Sequence, residues 1–212
     1  MTLAFRPRLA AAVATHRLEG EIGAATGDAL AAFLEAHEGR PVRVIINSPD
    51  GIATEGAAMA VKVERHGQVT ALGQGVVASA ATWPVLAPQR AVLHWACLVM
   101  IHDPAALVIG NAAALRSWAD EFDTIGEAHA AAYARWTGHP VARVLSWMRD
   151  ETWLSAADAL ALGFADAIEA RPEAVAVARF DYGVVRHAPE ALVRMTRDKG
   201  WATASPDSKG TT

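Results

Sequence analysis

Ser79 and His102 are the residues of this chain whose types and settings best suit nucleophilic acyl chemistry. Ser79 follows a glycine-containing run and opens a stretch of small residues, GQGVVASAAT at 73–82. At a helix start the first N–H groups lack acceptors and the helix dipole is positive, so negative charge developing beside a serine is stabilised. The same position suits a simple helix cap, and a serine there taken alone reads as one. It needs a base. His102 ends the apolar run LVMI at 98–101, where a buried strand would hold an imidazole in one orientation for general-base work. A histidine bonded only to backbone would also fit there, and the other seven histidines have weaker settings.

Composition narrows the partners. The chain has 212 residues with 19 Lys and Arg against 23 Asp and Glu, net charge −4, so no basic patch is available for a phosphate backbone. Length and a hydrophobic content of 52% suit one core, expected over residues 1–197, with a polar and disordered tail at 198–212. Cys97 is the only cysteine, so neither a disulfide within the chain nor a multi-cysteine zinc site can form, and its apolar flanks suggest a buried small residue. Nothing in the pattern asks for a cofactor or a metal. The longest central apolar run, 95–101, is far short of the roughly 18 residues of a membrane span. The stretch 9–14 is shorter than a usual signal-peptide core, so a cytoplasmic location is expected.

Forty-eight alanines blur single-window assignments, so the elements are read from punctuation. A helix is expected over 25–38, with Leu30, Phe33, Leu34 and His37 on one face. The β-branched run VRVII at 42–46 should be a buried strand turning sharply at NSPDG, followed by a short helix over 55–65. Strands are expected at 69–72, 91–94 and 98–101, with a Gly73–Gly75 turn and one helix over 79–86 between the first two. Apolar spacing from Leu115 to Trp136 gives a long amphipathic helix over 111–136 that should project from the core. A helix over 141–148, a short strand at 152–154 and a final helix capped by Ser155 and Asp158 follow, stopped by Gly163. Trp118, Trp136, Trp147 and Trp153 are expected in the core. Strands alternating with helices make an α/β layered fold.

Taken in order, INSPDG, GQGVVASAAT, VMIHDP, a long helix, TG and DETWLSAADALALGFAD resemble the Clp-protease proteolytic-subunit family of serine peptidases over 18–170. Chain length, LEGEIG at 18–23 and DETWLSA are more narrowly similar to its phage and prophage members, the head maturation or prohead proteases. The resemblance implies a ClpP/crotonase-like superhelix of repeated ββα units with a projecting helix, and a Ser-His-acid triad with Ser79 as nucleophile and His102 as base. Aligning on LSA puts Glu151 at the acid, where the family usually has aspartate, with Asp150 the adjacent alternative and a solvated surface pair the plain reading of both. The resemblance also implies an oxyanion hole on the backbone N–H groups of Gly51 and Ala80. Asp50 replaces the first glycine of the family's SPGG turn, and AALVIG at 105–110 lacks the paired glycines that bind extended substrate.

The resemblance further implies a ring-type homo-oligomer acting on protein or peptide substrates, in the phage type on capsid or scaffold proteins, without ATP. An ATPase partner stays open, as does a catalytically decayed scaffold homologue. A crotonase-like acyl-CoA enzyme shares the fold but does not require this serine and histidine. A Ser-Lys dyad is disfavoured, since only Lys62, Lys199 and Lys209 exist.

Overall fold

A computed structural model describes residues 13–169 and 180–201. The expected tail lies mostly outside these residues, as does most of the apolar stretch at 9–14.

The fold is mixed α/β, as expected. A seven-stranded sheet has β1 (Ala14–Glu19), β2 (Val42–Ser48), β3 (Val69–Ala78), β4 (Arg90–His94) and β7 (Ala167–Glu169) side by side, each pair parallel. Strand β5 (Leu98–Ile101) runs parallel to the far end of β3, and β6 (Thr152–Ser155) lies antiparallel on β5. The long strand β3 therefore serves two neighbours in turn, β4 through residues 70–73 and β5 through 76–78. Parallel strands need crossovers, and α1 (Ala24–Ala36) and α2 (Ala53–His66) supply the first two.

β2 forms as the β-branched run predicts, with Val42, Val44 and Ile46 essentially inaccessible. They join Leu18, Leu30, Met59 and Leu93 in the main core. Cys97 lies there too, 1% exposed, and burial pushes its thiol up to about 12. Helix α4 (Ala112–Thr137) projects as expected: nothing before Gly126 is buried, whereas Gly126, Ala130 and Tyr133 are packed inside. Gly138 in the left-handed region stops it. Helices α5 (Val141–Arg149) and α6 (Ala156–Ala161) follow, α6 opened by the Ser155–Asp158 capping box.

Several expectations are corrected. The Gly73–Gly75 turn is strand: Gly75 takes φ +67°, the β2–β3 register shifts between Ile46 and Ser48, and a Cβ on Gly73 would meet Leu93 at 2.6 Å. A bulge here uses the glycines that sequence alone assigns to a turn. The segment 79–86 is a 3₁₀ turn (Ser79–Ala81) followed by a short helix α3 (Thr82–Leu86). Helix α6 is not the last: α7 (Glu190–Asp198) follows, so the segment read as the start of the tail begins in a helix. Trp118 is 43% exposed, stacked on Phe122 on the projecting part of α4 where no core reaches it. A second small cluster joins Tyr182 and Leu192 to Val76, Ala78 and Met100, so the C-terminal segment packs against β3 and β5.

Candidate active site

Ser79 stands where β3 gives way to the 3₁₀ turn, with φ +55°. A non-glycine residue in that region costs on the order of 1–3 kcal/mol and persists only when its surroundings impose it. Two restraints are visible. Thr82 Oγ1 donates to the Ser79 carbonyl at 2.6 Å, and the hydroxyl of buried Tyr133 on α4 donates in turn to Thr82 Oγ1 at 2.6 Å. Burial pushes the Tyr133 phenol up to about 12, so it remains a donor at neutral pH. Helix α2 closes the turn from the other side: a Cβ on Gly56 would lie 2.5 Å from the Ala80 carbonyl oxygen, so only glycine permits this approach.

The N-cap of the turn is Ala78, so Ser79, its first residue, does not stand at the cap position. Its Oγ lies 2.8 Å from Nε2 of His102, which immediately follows β5. With the imidazole proton on Nδ1, Nε2 accepts from the serine hydroxyl, the orientation in which it can take that proton. The adjacency comes from the sheet: Ala78 pairs with Met100, so the two strands release Ser79 and His102 at the same edge.

Glu151 is brought alongside by the next ladder. Ile101 pairs with Thr152 in antiparallel register, which sets the Glu151 backbone opposite His102. Its carboxylate is turned elsewhere: Oε1 accepts from Trp153 Nε1 at 3.5 Å, and Oε2 lies 3.9 Å from Arg186 Nε. Glu151 also has φ +49°. Asp150 is exposed at the C-terminus of α5. Asp103, beside His102 in sequence, has its carboxyl held above the usual range by burial, opposed by Arg149 and His102.

Gly51 is bridged to Ile22 and packed so tightly that a Cβ would collide with the Ile22 carbonyl oxygen. Its N–H is occupied: it donates to Asp50 Oδ1 at 2.7 Å. Ala80 is the second residue of the 3₁₀ turn, where early N–H groups lack an acceptor within the turn. Asp50 is not among the non-glycine residues with positive φ, so the turn accepts a side chain there without left-handed strain.

Residues 17–172 match the Clp protease family model, which is most of the chain. The chain belongs to the Clp protease family. Among curated relatives, the ATP-dependent Clp protease proteolytic subunit 1 of Mycobacterium tuberculosis and that of Mycobacterium bovis are each 29% identical over 137 residues, 62% of this chain and 68% of theirs. The same-named subunit of Mycobacterium leprae is 28% identical over 137 residues.

In this Clp protease family member, Ser79, His102 and Gly51 face a cleft of about 420 Å³ whose far wall is one face of α4: Phe122, Ile125, His129 and Tyr133. Trp83 closes the inner end, with His129 edge-on to it at 4.8 Å. Burial, followed by the neighbouring His102, lowers the affinity of His129 for a proton. Sequence reasoning passed over His129, Gly56, Thr82 and Arg186. The spacing of Phe122, Ile125, His129 and Tyr133 marks a helix face, but nothing local says that this face meets the serine. Among the described residues no helix is long and apolar enough to cross a membrane.

Proposed function

We propose that this chain is a serine endopeptidase. Ser79 Oγ attacks the scissile carbonyl as His102 Nε2 takes its proton. His102 then donates that proton to the leaving amine, and water hydrolyses the acyl-enzyme by the same route in reverse. The observation that carries this is the 2.8 Å contact between Ser79 Oγ and His102 Nε2 at the mouth of a cleft, with Ser79 held at φ +55°. Glu151 is the acid of the triad, reaching His102 Nδ1 once its carboxylate leaves Arg186, and the N–H groups of Gly51 and Ala80 receive the oxyanion. Residues 1–197 belong to one peptidase domain in this reading.

The chain works as a ring-type homo-oligomer on protein substrates, as membership of the family supports, with the projecting half of α4 as the contact between copies. DETWLSA favours the phage type, so the substrates are capsid or scaffold proteins cleaved in the host cytoplasm or inside a procapsid, without ATP. Digestion of unfolded casein with and without ATP tests this: equal rates, both abolished in Ser79→Ala, are expected. Cleavage only with ATP and an added ATPase would overturn the independence.

The occupied Gly51 N–H and the outward-turned Glu151 carboxylate favour a second reading, a scaffold homologue that has lost activity. That reading predicts a folded oligomer with no digestion under either condition.

A further inference from the structure

His129 is the imidazole in the cleft wall that the reaction does not use, and Thr54 is a second polar side chain there without a role in it. His129 sits among Trp83, Phe122 and Ile125, and its two ring nitrogens make no hydrogen bond among the described residues. Two other polar groups of the cleft are engaged. The Tyr133 hydroxyl donates to Thr82, and Asp50 Oδ1 accepts from Gly51. An imidazole half-buried against an indole, with one donor and one acceptor unspent, loses hydration when a substrate side chain enters unless that side chain bonds to it.

We propose that His129 is a specificity-determining residue that selects an amide-bearing side chain, glutamine in the first instance, at the substrate residue whose carbonyl Ser79 attacks. This rests on the peptidase reading above and names its substrate class. The methylene stem of glutamine packs between Trp83, Phe122 and Ile125, and its carboxamide offers the acceptor and the donors that a neutral imidazole complements. A carboxylate is disfavoured by Asp50 across the same cleft, and an ammonium group, though drawn to Asp50, carries no acceptor for the imidazole N–H and meets an apolar wall. Leucine fits the wall but leaves the imidazole unpaired, and a site built around such a bond discriminates against analogues that lack its partner.

The test is cleavage of a proteome-derived peptide library by the full chain, with sites read by mass spectrometry and active enzyme counted by a small fluorophosphonate. Wild type is expected to cleave after glutamine about tenfold more often than after leucine, one hydrogen bond's discrimination. His129→Phe brings that ratio to about one, and His129→Asn, which keeps hydrogen-bonding groups, retains part of the preference. A ratio unchanged in a labelled His129→Phe or His129→Asn enzyme, or a wild-type preference for lysine or glutamate, overturns the proposal while leaving the peptidase reading intact. Absence of labelling in wild type overturns both.

Discussion

Arg186 holds the carboxylate that stands across the ladder from the candidate base: its Nε lies 3.9 Å from Glu151 Oε2, while the Glu151 side chain is only 10% exposed. The arginine comes from the C-terminal segment that packs against β3 and β5, so one unit touches the strand bearing Ser79, the strand bearing His102 and the acid. The pair is loose and Arg186 is 70% exposed, which makes its energetic contribution small. Arg186→Ala is therefore expected to leave the melting temperature nearly unchanged and to raise the rate of fluorophosphonate labelling severalfold by freeing Glu151 for His102. Glu151→Gln should lower it by about 10²-fold or more, since an amide cannot stabilise the imidazolium. A faster Glu151→Gln enzyme would remove Glu151 from the triad.

Asp50 occupies the N–H of Gly51 at 2.7 Å, the donor assigned to the oxyanion. One such donor is worth about 10²–10³ in rate, and a carboxylate on it subtracts from that. Asp50→Gly, which restores the family's residue, is expected to raise kcat of peptide hydrolysis by about tenfold, a fraction of one donor's worth. An unchanged or lower kcat would show that Asp50 already moves aside when substrate binds.

Gly56 lets α2 press on the Ser79 turn, a Cβ there falling 2.5 Å from backbone oxygen. Backbone cannot step aside as a side-chain tip can, so Gly56→Ala should cost about 1–3 kcal/mol and shift the turn. Thermal melting and labelling measured together should both fall. A normal melt with normal labelling would contradict this packing.

Two histidines set the acid side of stability. His129, by burial and then by His102, and His16, by burial, hold protons less well in the fold than the ordinary value of 6.5. The unfolded chain therefore binds more protons as pH falls, so their contribution is complete above about 6.5 and is lost as pH drops through the lowered folded values. The melting temperature should fall between pH 7 and 5.5, with a shallower slope in His129→Phe. An identical slope in the two proteins would show that His129 protonates freely.

The parts legible in the sequence were those written locally. VRVII, the Ser155–Asp158 cap, Gly138 and Gly163 each announce an element or its end within a few residues, and the structure has them. Ser79 and His102 were legible because both sit where a strand ends, and sheet register then brings them together. β1 was missed because only alternate residues of ATHRLE face inward and one of them is a histidine. Gly73 and Gly75 resemble turn residues until the register shift against β2 and the close approach of Leu93 from β4 are seen. Arg186 and His129 reach the site from distant segments, and no spacing rule connects residues 35 or 27 positions beyond Glu151 and His102 in sequence.

The central claim is an activated Ser79, and intact-mass detection of a fluorophosphonate adduct tests it most directly. Wild type, Ser79→Ala and His102→Ala are each passed over size exclusion, treated at neutral pH and weighed. One adduct on wild type, absent from both variants while all three elute alike, is the expected result. A well-folded wild-type oligomer without adduct would contradict the peptidase account in favour of the scaffold reading, and an adduct persisting on Ser79→Ala would place the nucleophile elsewhere.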